Sequence, residues 1–152
     1  MKITITHNTK KLETKIKTTI QKLKNTKSLM DSIGNMLMEE YGENVFEKKG
    51  TPSNKWKGLD AKTLRARASG WGYYGKTSGG GSEPLVWSGR LKKGFKKVST
   101  AKQVTVTNTT PYFKYHQQGG GKLPARPMLH LDPPLQRKIE KEINDFVKKS
   151  LV

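Results

Sequence analysis

The string GWGYYGKT at residues 70–77 has the spacing of a Walker A loop, the motif that binds the phosphates of nucleoside triphosphates. Such a loop works when a strand leads into it and a helix follows, because backbone N–H groups at the helix N-terminus then face the anion. Here a charged stretch at 61–69 precedes the string and a glycine-rich stretch at 78–84 follows it. No later apolar strand ends in an Asp that could bind Mg²⁺. We therefore predict no nucleoside-triphosphatase activity.

The other groups with catalytic potential are scattered along the chain. His7, His116 and His130 lie in three different predicted elements, without the spacing of a metal site. The absence of Cys excludes disulfides and thiolate ligands. Most of the 12 acidic residues, such as Glu39 and Glu40, fall on helices among lysines, as surface ion pairs do. We expect no catalytic, cofactor-binding or metal-binding residues, and a structural hydrogen bond for His116 at a sheet edge.

Charge is the dominant global property of the sequence. The 152 residues carry a formal net charge of +18, and only 32% of them are hydrophobic, so the core is modest. Such a chain is attracted to polyanions or acidic protein surfaces, unless the lysines serve only to solubilise its surface. No apolar run approaches the roughly 18 residues that a membrane span needs. Residues 1–6 lack the apolar core of a signal peptide, which predicts a soluble protein made in a cytoplasm.

Apolar residues at helical spacing predict three longer helices. One begins after Asn8, and a second amphipathic stretch covers about 28–48 as either one bent helix or two. The last begins at Pro133, with Asp132 as its N-cap. A shorter basic helix is predicted over 61–68.

Alternating and aromatic segments predict a small antiparallel sheet. A strand begins near Gly94, and residues 104–107 alternate apolar and hydroxylated side chains. A turn at 108–111 leads into an aromatic segment at 112–116, which we interpret as the second strand of a hairpin. A strand at 2–7 could pair at its edge. The predicted fold class is α+β: a small antiparallel sheet packed against amphipathic helices, with a C-terminal helix, in a single domain spanning 1–152.

Four sequence pieces in a fixed order carry a family resemblance. They are WKGL at 56–59 with Thr63, LVWSGRL at 85–91, the segment from Tyr112 to His116-Gln117-Gln118-Gly119, and PARPML at 124–129. In this order they resemble the phage virion morphogenesis family, the tail-completion and head–tail joining proteins of tailed bacteriophages. The resemblance covers residues 56–131.

The resemblance implies a structural protein of the phage neck rather than an enzyme. It implies a ring of identical subunits, six-fold or a multiple of six, around the DNA passage. The implied partners are other neck, portal-side or tail proteins and double-stranded DNA in transient, non-specific contact, with no membrane. The protein would lie in the virion at the head–tail interface, after assembly in the host cytoplasm.

The alternative interpretation is a stand-alone, sequence-independent nucleic-acid-binding protein. The positive charge and the aromatics Trp56, Trp71, Tyr73 and Tyr74 are typical of such proteins. Oligomeric behaviour separates the two interpretations, because a joining protein forms rings or attaches to tails with or without DNA.

Two sets of residues are candidates for contacts. The basic run Lys92, Lys93, Lys96 and Lys97 either borders the DNA passage or only solvates an exposed strand. The expected subunit or partner contacts are Trp56, Trp71, Tyr73, Tyr74 and Arg126. For Trp56 the alternative is a place at the edge of the core, and for Arg126 it is a structural bond to backbone carbonyls. The glycine-rich insert at 69–82, which holds three of these aromatics, is predicted to be a flexible loop that orders on contact.

Overall fold

The computed structural model describes residues 9–69, 71–72, 75–76 and 81–151. Its elements in chain order are α1 (Thr9–Lys24), α2 (Lys27–Glu39), a π-helical turn (Glu40–Asn44), α3 (Val45–Glu47), α4 (Ala61–Ala68), β1 (Trp71–Gly72), β2 (Gly75–Lys76), α5 (Arg90–Lys93), β3 (Phe95–Ser99), β4 (Val104–Asn108), α6 (Phe113–Gln118) and α7 (Pro133–Leu151). The predicted α+β class is confirmed. The strand predicted at 2–7 lies outside the described residues.

The amphipathic stretch predicted at 28–48 is one continuous helical path with a π-helical turn in its middle. A π-turn inserts an extra residue per turn and so changes which side chains face the core. Ile33 before the turn, Tyr41 within it, and Val45 and Phe46 after it are all buried. The core is completed from the other elements by Trp56, Leu91, Phe95, Met128 and Leu135.

Strands β3 and β4 pair antiparallel, from Phe95 opposite Asn108 to Ser99 opposite Val104. Helix α2 contacts both strands. The approach is close at Gly34, where a Cβ atom would lie 2.9 Å from Cγ2 of Val104. The inner face of the sheet is therefore covered by α2, and alternate β3 residues such as Lys96 and Val98 are exposed.

The prediction of an aromatic strand at 112–116 was wrong, because residues 113–118 form helix α6 and the partner of β4 is β3. The chain turns at Thr110, whose carbonyl accepts a hydrogen bond from the Phe113 N–H at 3.0 Å. Tyr112 and His116, four residues apart, then pack ring edge to face with centroids 5.9 Å apart, a helical spacing. Local turn chemistry and helical side-chain contacts outweighed the β preference of the aromatic residues.

The start of α7 at Pro133 is confirmed, and the segment before it is tied to the rest of the core. The Asp132 carboxylate accepts from the N–H and hydroxyl of Ser53, at 3.2 and 3.1 Å. Met128 is fully buried. Gln117 of α6 accepts from the N–H groups of Met128 and Leu129 and donates to the Leu129 carbonyl. This extended segment thus connects α6, α7 and the loop around residue 53.

The described part of the Walker-like string at 70–77 is a pair of two-residue strands, Trp71 opposite Lys76 and Gly72 opposite Gly75. A short antiparallel pair differs from the strand–loop–helix geometry that phosphate-binding loops use. Among the described helices, none is both long and apolar enough to cross a membrane.

Candidate interaction cleft

The sequence pieces of the family resemblance come together around one open cleft of about 1160 Å³. Its walls come from residues in 57–67, 85–91, 111–116 and 122–126. Leucine, proline and aromatic side chains make up much of the wall, and Lys57, Arg90 and Lys122 stand among them. Pieces that are far apart in the chain therefore build one surface feature.

Arg126 holds three of these walls together. Only 6% of its surface is exposed. Its Nε donates to the Lys57 carbonyl at 3.0 Å, its Nη2 donates to the Gly58 carbonyl at 3.1 Å, and its N–H donates to the His116 carbonyl at 2.7 Å. Burial lowers the pKa of Arg126, and the Asp60 carboxylate partly offsets that effect. The Arg126 side chain thus makes structural hydrogen bonds to backbone carbonyls, which was the alternative given for it in the sequence analysis. Its contact with another subunit or a partner stays a prediction.

Trp56 lies beneath the cleft, within the core. It is 7% exposed, its Nε1 donates to the Pro127 carbonyl at 2.8 Å, and its ring packs edge to face on Phe46. A buried indole with a satisfied N–H stabilises the fold through packing and one hydrogen bond. Its proposed contact with a partner stays a prediction.

Helix α4 forms another wall and is fixed at both ends. Asp60 is its N-cap, accepting from the Thr63 N–H at 2.6 Å, and this bond lowers the pKa of the carboxyl. Near the other end, Arg67 donates to the Glu83 carbonyl at 2.8 Å, and its guanidinium lies 5.0 Å from the centre of the Trp87 ring. The sequence indicated a basic helix here, but nothing in it paired Arg67 with Trp87.

His116 is the titratable group in the cleft wall that most resembles a catalytic residue. Burial lowers the pKa of its imidazole, and the positive charge of Arg126 lowers it further. In the described part of the chain its Nδ1 has no hydrogen-bond partner. The expected hydrogen bond of His116 at a sheet edge was wrong, because His116 lies in helix α6. Its backbone carbonyl accepts a hydrogen bond from the Arg126 N–H. The cleft thus offers apolar walls and cations, which suit binding more than proton transfer.

The four lysines of the basic run lie in different surroundings. Lys92 forms an ion pair with Glu43 at 2.5 Å. Lys97 is on the inner face of the sheet, where its Nζ donates to the Asp31 carbonyl and the Asn35 side chain. Lys93 and Lys96 are exposed. Two of the four lysines therefore make contacts within the protein and two are exposed to solvent. The role of the basic run at a DNA passage stays a prediction.

The aromatics of the insert at 69–82 are only partly described. The backbone of Trp71 is in β1. Tyr73, Tyr74, Gly70 and residues 77–80 lie outside the described residues, and the role of the two tyrosines as contacts stays a prediction.

Comparison with known protein families matches residues 7–151 to the phage virion morphogenesis family. The chain belongs to that family. Comparison with curated proteins and with solved structures gives no significant match. Membership gives this virion protein a structural or assembly role in the phage particle and a virion location.

This virion protein also contains a cluster of ionisable side chains around the buried Glu40 and His130 side chains, which the sequence did not predict. Glu40, expected on the surface, is 6% exposed, so that expectation was wrong. The His130 ring lies between two carboxylates, with Nε2 3.5 Å from Glu40 and Nδ1 3.5 Å from Asp132. Lys138 lies 3.9 Å from Glu40. The π-turn places Glu40 inward, which no residue pattern in that stretch indicated.

The cluster is a structural link rather than a metal centre. Its two carboxylates lie at opposite nitrogens of one ring, so they do not converge on a common point. Within the described ranges, no group of three or more His, Cys, Asp or Glu side chains could hold a metal ion. The cluster joins the π-turn to the start of α7.

Proposed function

We propose that this virion protein acts at the phage neck, in tail completion or head–tail joining, as a subunit of a ring around the DNA passage. The observation that carries the proposal is the family match over residues 7–151, which covers both flanking helices as well as the resemblance pieces. The ring would contain six subunits or a multiple of six. Its neighbours would be other neck, portal-side or tail proteins.

The physical character of the chain supports assembly into a larger particle. A hydrophobic share of 32% gives a thin core, so a subunit of this kind gains stability from its neighbours. The interaction cleft and several half-exposed apolar side chains offer surfaces that neighbours could cover.

The net charge of +18 supports transient contact with DNA. Lysine contacts to phosphates are independent of base sequence and exchange readily, which suits a passage through which DNA must slide. Lys93 and Lys96 are the members of the basic run whose side chains are exposed for such contacts.

The second candidate is a stand-alone nucleic-acid-binding protein, which the same charge favours. Sedimentation velocity and negative-stain microscopy of the purified protein, with and without short duplex DNA, separate the two. A neck subunit is expected to form discrete rings in the absence of DNA, or on mixing with isolated phage tails. A protein that stays monomeric with tails and binds only DNA would contradict the proposal and favour the alternative.

A further inference from the structure

Helices α1 and α7 carry apolar side chains that are about half exposed to solvent. Of the eleven large hydrophobic residues that are exposed in the described structure, six belong to these two helices: Ile16 (50%), Ile20 (46%) and Leu23 (37%) on α1, and Ile143 (39%), Val147 (38%) and Leu151 (56%) on α7. Within each helix they are three or four residues apart, so they form one stripe. The two helices contact each other, and their two stripes together are here called the α1–α7 face.

Cations outnumber carboxylates on both helices. Glu13 is the one acidic residue of α1, among Lys10, Lys11, Lys15, Lys17, Lys22 and Lys24. Helix α7 has Arg137, Lys138, Lys141, Lys148 and Lys149 against Glu140, Glu142 and Asp145. One of those carboxylates, on Glu142, already accepts a hydrogen bond from Ser32 of α2. The helices that form the α1–α7 face therefore carry a net positive charge besides their apolar stripes.

This chemistry selects among the possible occupants. Nucleic acid would use the lysines but gain nothing from the isoleucine and valine side chains. A second copy that docked through the same face would place the lysines of α1 and α7 against each other. An amphipathic helix with carboxylates beside its apolar stripe satisfies both features, because it covers the apolar side chains and pairs with the lysines.

We propose that the α1–α7 face binds an acidic amphipathic helix of a partner protein. The apolar side of that helix packs on the two stripes, and its carboxylates meet the lysines at their borders. This interface is separate from the interaction cleft and does not require ring formation, so it stands or falls independently of the proposed function.

The test uses fluorescence anisotropy with the full chain and a labelled designed helix that has Leu at helical spacing and Glu elsewhere. Two control peptides share its length: a scrambled one without the apolar stripe and one with Lys in place of Glu. We expect saturable binding of the first peptide only. Ile20→Ser with Val147→Ser is expected to weaken it about tenfold or more, because two apolar side chains are removed from the interface. Val98→Ser removes a side chain that is 66% exposed on β3 and is expected to leave binding unchanged.

Circular dichroism melts show whether each variant folds. If the variant with Ile20→Ser and Val147→Ser does not fold, a variant with Ile16→Ser and Leu151→Ser replaces it. Ile16 and Leu151 are the most exposed apolar residues of the two stripes. Equal binding of the scrambled peptide would overturn the proposal, as would the absence of saturable binding. Binding to phosphatidylserine vesicles but not to the peptide would also overturn it, as would self-association that the serine variants abolish.

Discussion

Arg126 is the residue on which the shape of the cleft most depends. Its guanidinium donates to the carbonyls of Lys57 and Gly58 from a nearly buried position. A lysine ammonium cannot reproduce that planar, two-bond geometry. A buried carbonyl that loses its donor costs roughly 1–3 kcal/mol.

Arg126→Lys is therefore expected to lower the free energy of unfolding by about 1–3 kcal/mol in urea denaturation. Arg90→Lys is the matched control, because Arg90 lines the same cleft but is exposed, and little change is expected. Equal stability of the two variants would mean that Arg126 does not tie the walls together.

His116 gives the folded chain a specific sensitivity to acid. Its folded pKa is lowered by burial and by Arg126, below the ordinary value of 6.5. As the pH falls below 6.5, the unfolded chain binds a proton at this position before the folded chain does. The free energy of unfolding therefore decreases as the pH falls from 6.5 to the pKa of His116 in the folded chain. His116→Gln is expected to reduce the fall in stability between about pH 7 and about pH 5, measured by urea denaturation at each pH. A slope equal to that of the parent chain would show that His116 titrates normally.

The surroundings of the four lysines predict unequal contributions to DNA binding. Changing Lys93 and Lys96 together to Gln is expected to lower the log–log salt slope for duplex DNA by up to about two units, one for each phosphate that is no longer neutralised. Changing Lys92 and Lys97 together to Gln is the matched control of equal charge. Because those two ammonium groups already bind Glu43 and α2, a smaller change is expected. Identical slopes for both pairs would indicate that only total charge matters.

At the scale of elements, the contact between α2 and the sheet determines which glycines can be replaced. Ala is more favourable than Gly in a helix by about 1 kcal/mol. At Gly34 a methyl group would meet Val104, Lys97 and Ser99 within 3.2 Å, whereas at Gly42 the nearest neighbour is a carbonyl oxygen 4.0 Å away. Gly42→Ala is expected to raise the melting temperature, and Gly34→Ala to lower it or leave it unchanged. A rise of equal size at both positions would contradict the close packing of α2 on the sheet.

The elements that the sequence predicted are those whose own residues determine them. Pro133 begins α7, and alternation identifies β4, because helix-start chemistry and strand periodicity are local signals. Tyr112–His116 was misassigned because aromatic residues suit both strands and helices, and tertiary contacts decide between them. Glu40 was misassigned because a π-turn changes the helical period, which a fixed spacing cannot anticipate.

The sequence identified individual residues of the candidate cleft but not the contacts that bring them together. Arg126 and Trp56 stood out because rigid flanking residues and size mark them in the sequence. Their partners, the carbonyls of Lys57, Gly58 and Pro127, are backbone groups that carry no side-chain signal. The contact between an arginine of α4 and the Trp87 ring likewise depends on the path of the intervening chain.

At the scale of the whole molecule, both the family and the net charge indicate a protein that works by binding other components of the phage particle. Membership of the family indicates a role in building the virion. The chain has 30 basic and 12 acidic residues, and this positive net charge favours attraction to DNA or to acidic partners. The fold supplies a thin core, an open cleft and the α1–α7 face. We therefore expect this virion protein to act through contacts with neighbouring proteins.

We propose that this protein acts in tail completion or head–tail joining, and phage particles assembled without it provide the decisive test. Negative-stain microscopy of a lysate from phage lacking the protein is expected to show DNA-filled heads and complete tails that remain separate. Adding the purified protein to this lysate is expected to produce joined, infectious particles. Joined particles in normal numbers without the protein, or heads that never fill with DNA, would contradict the claim.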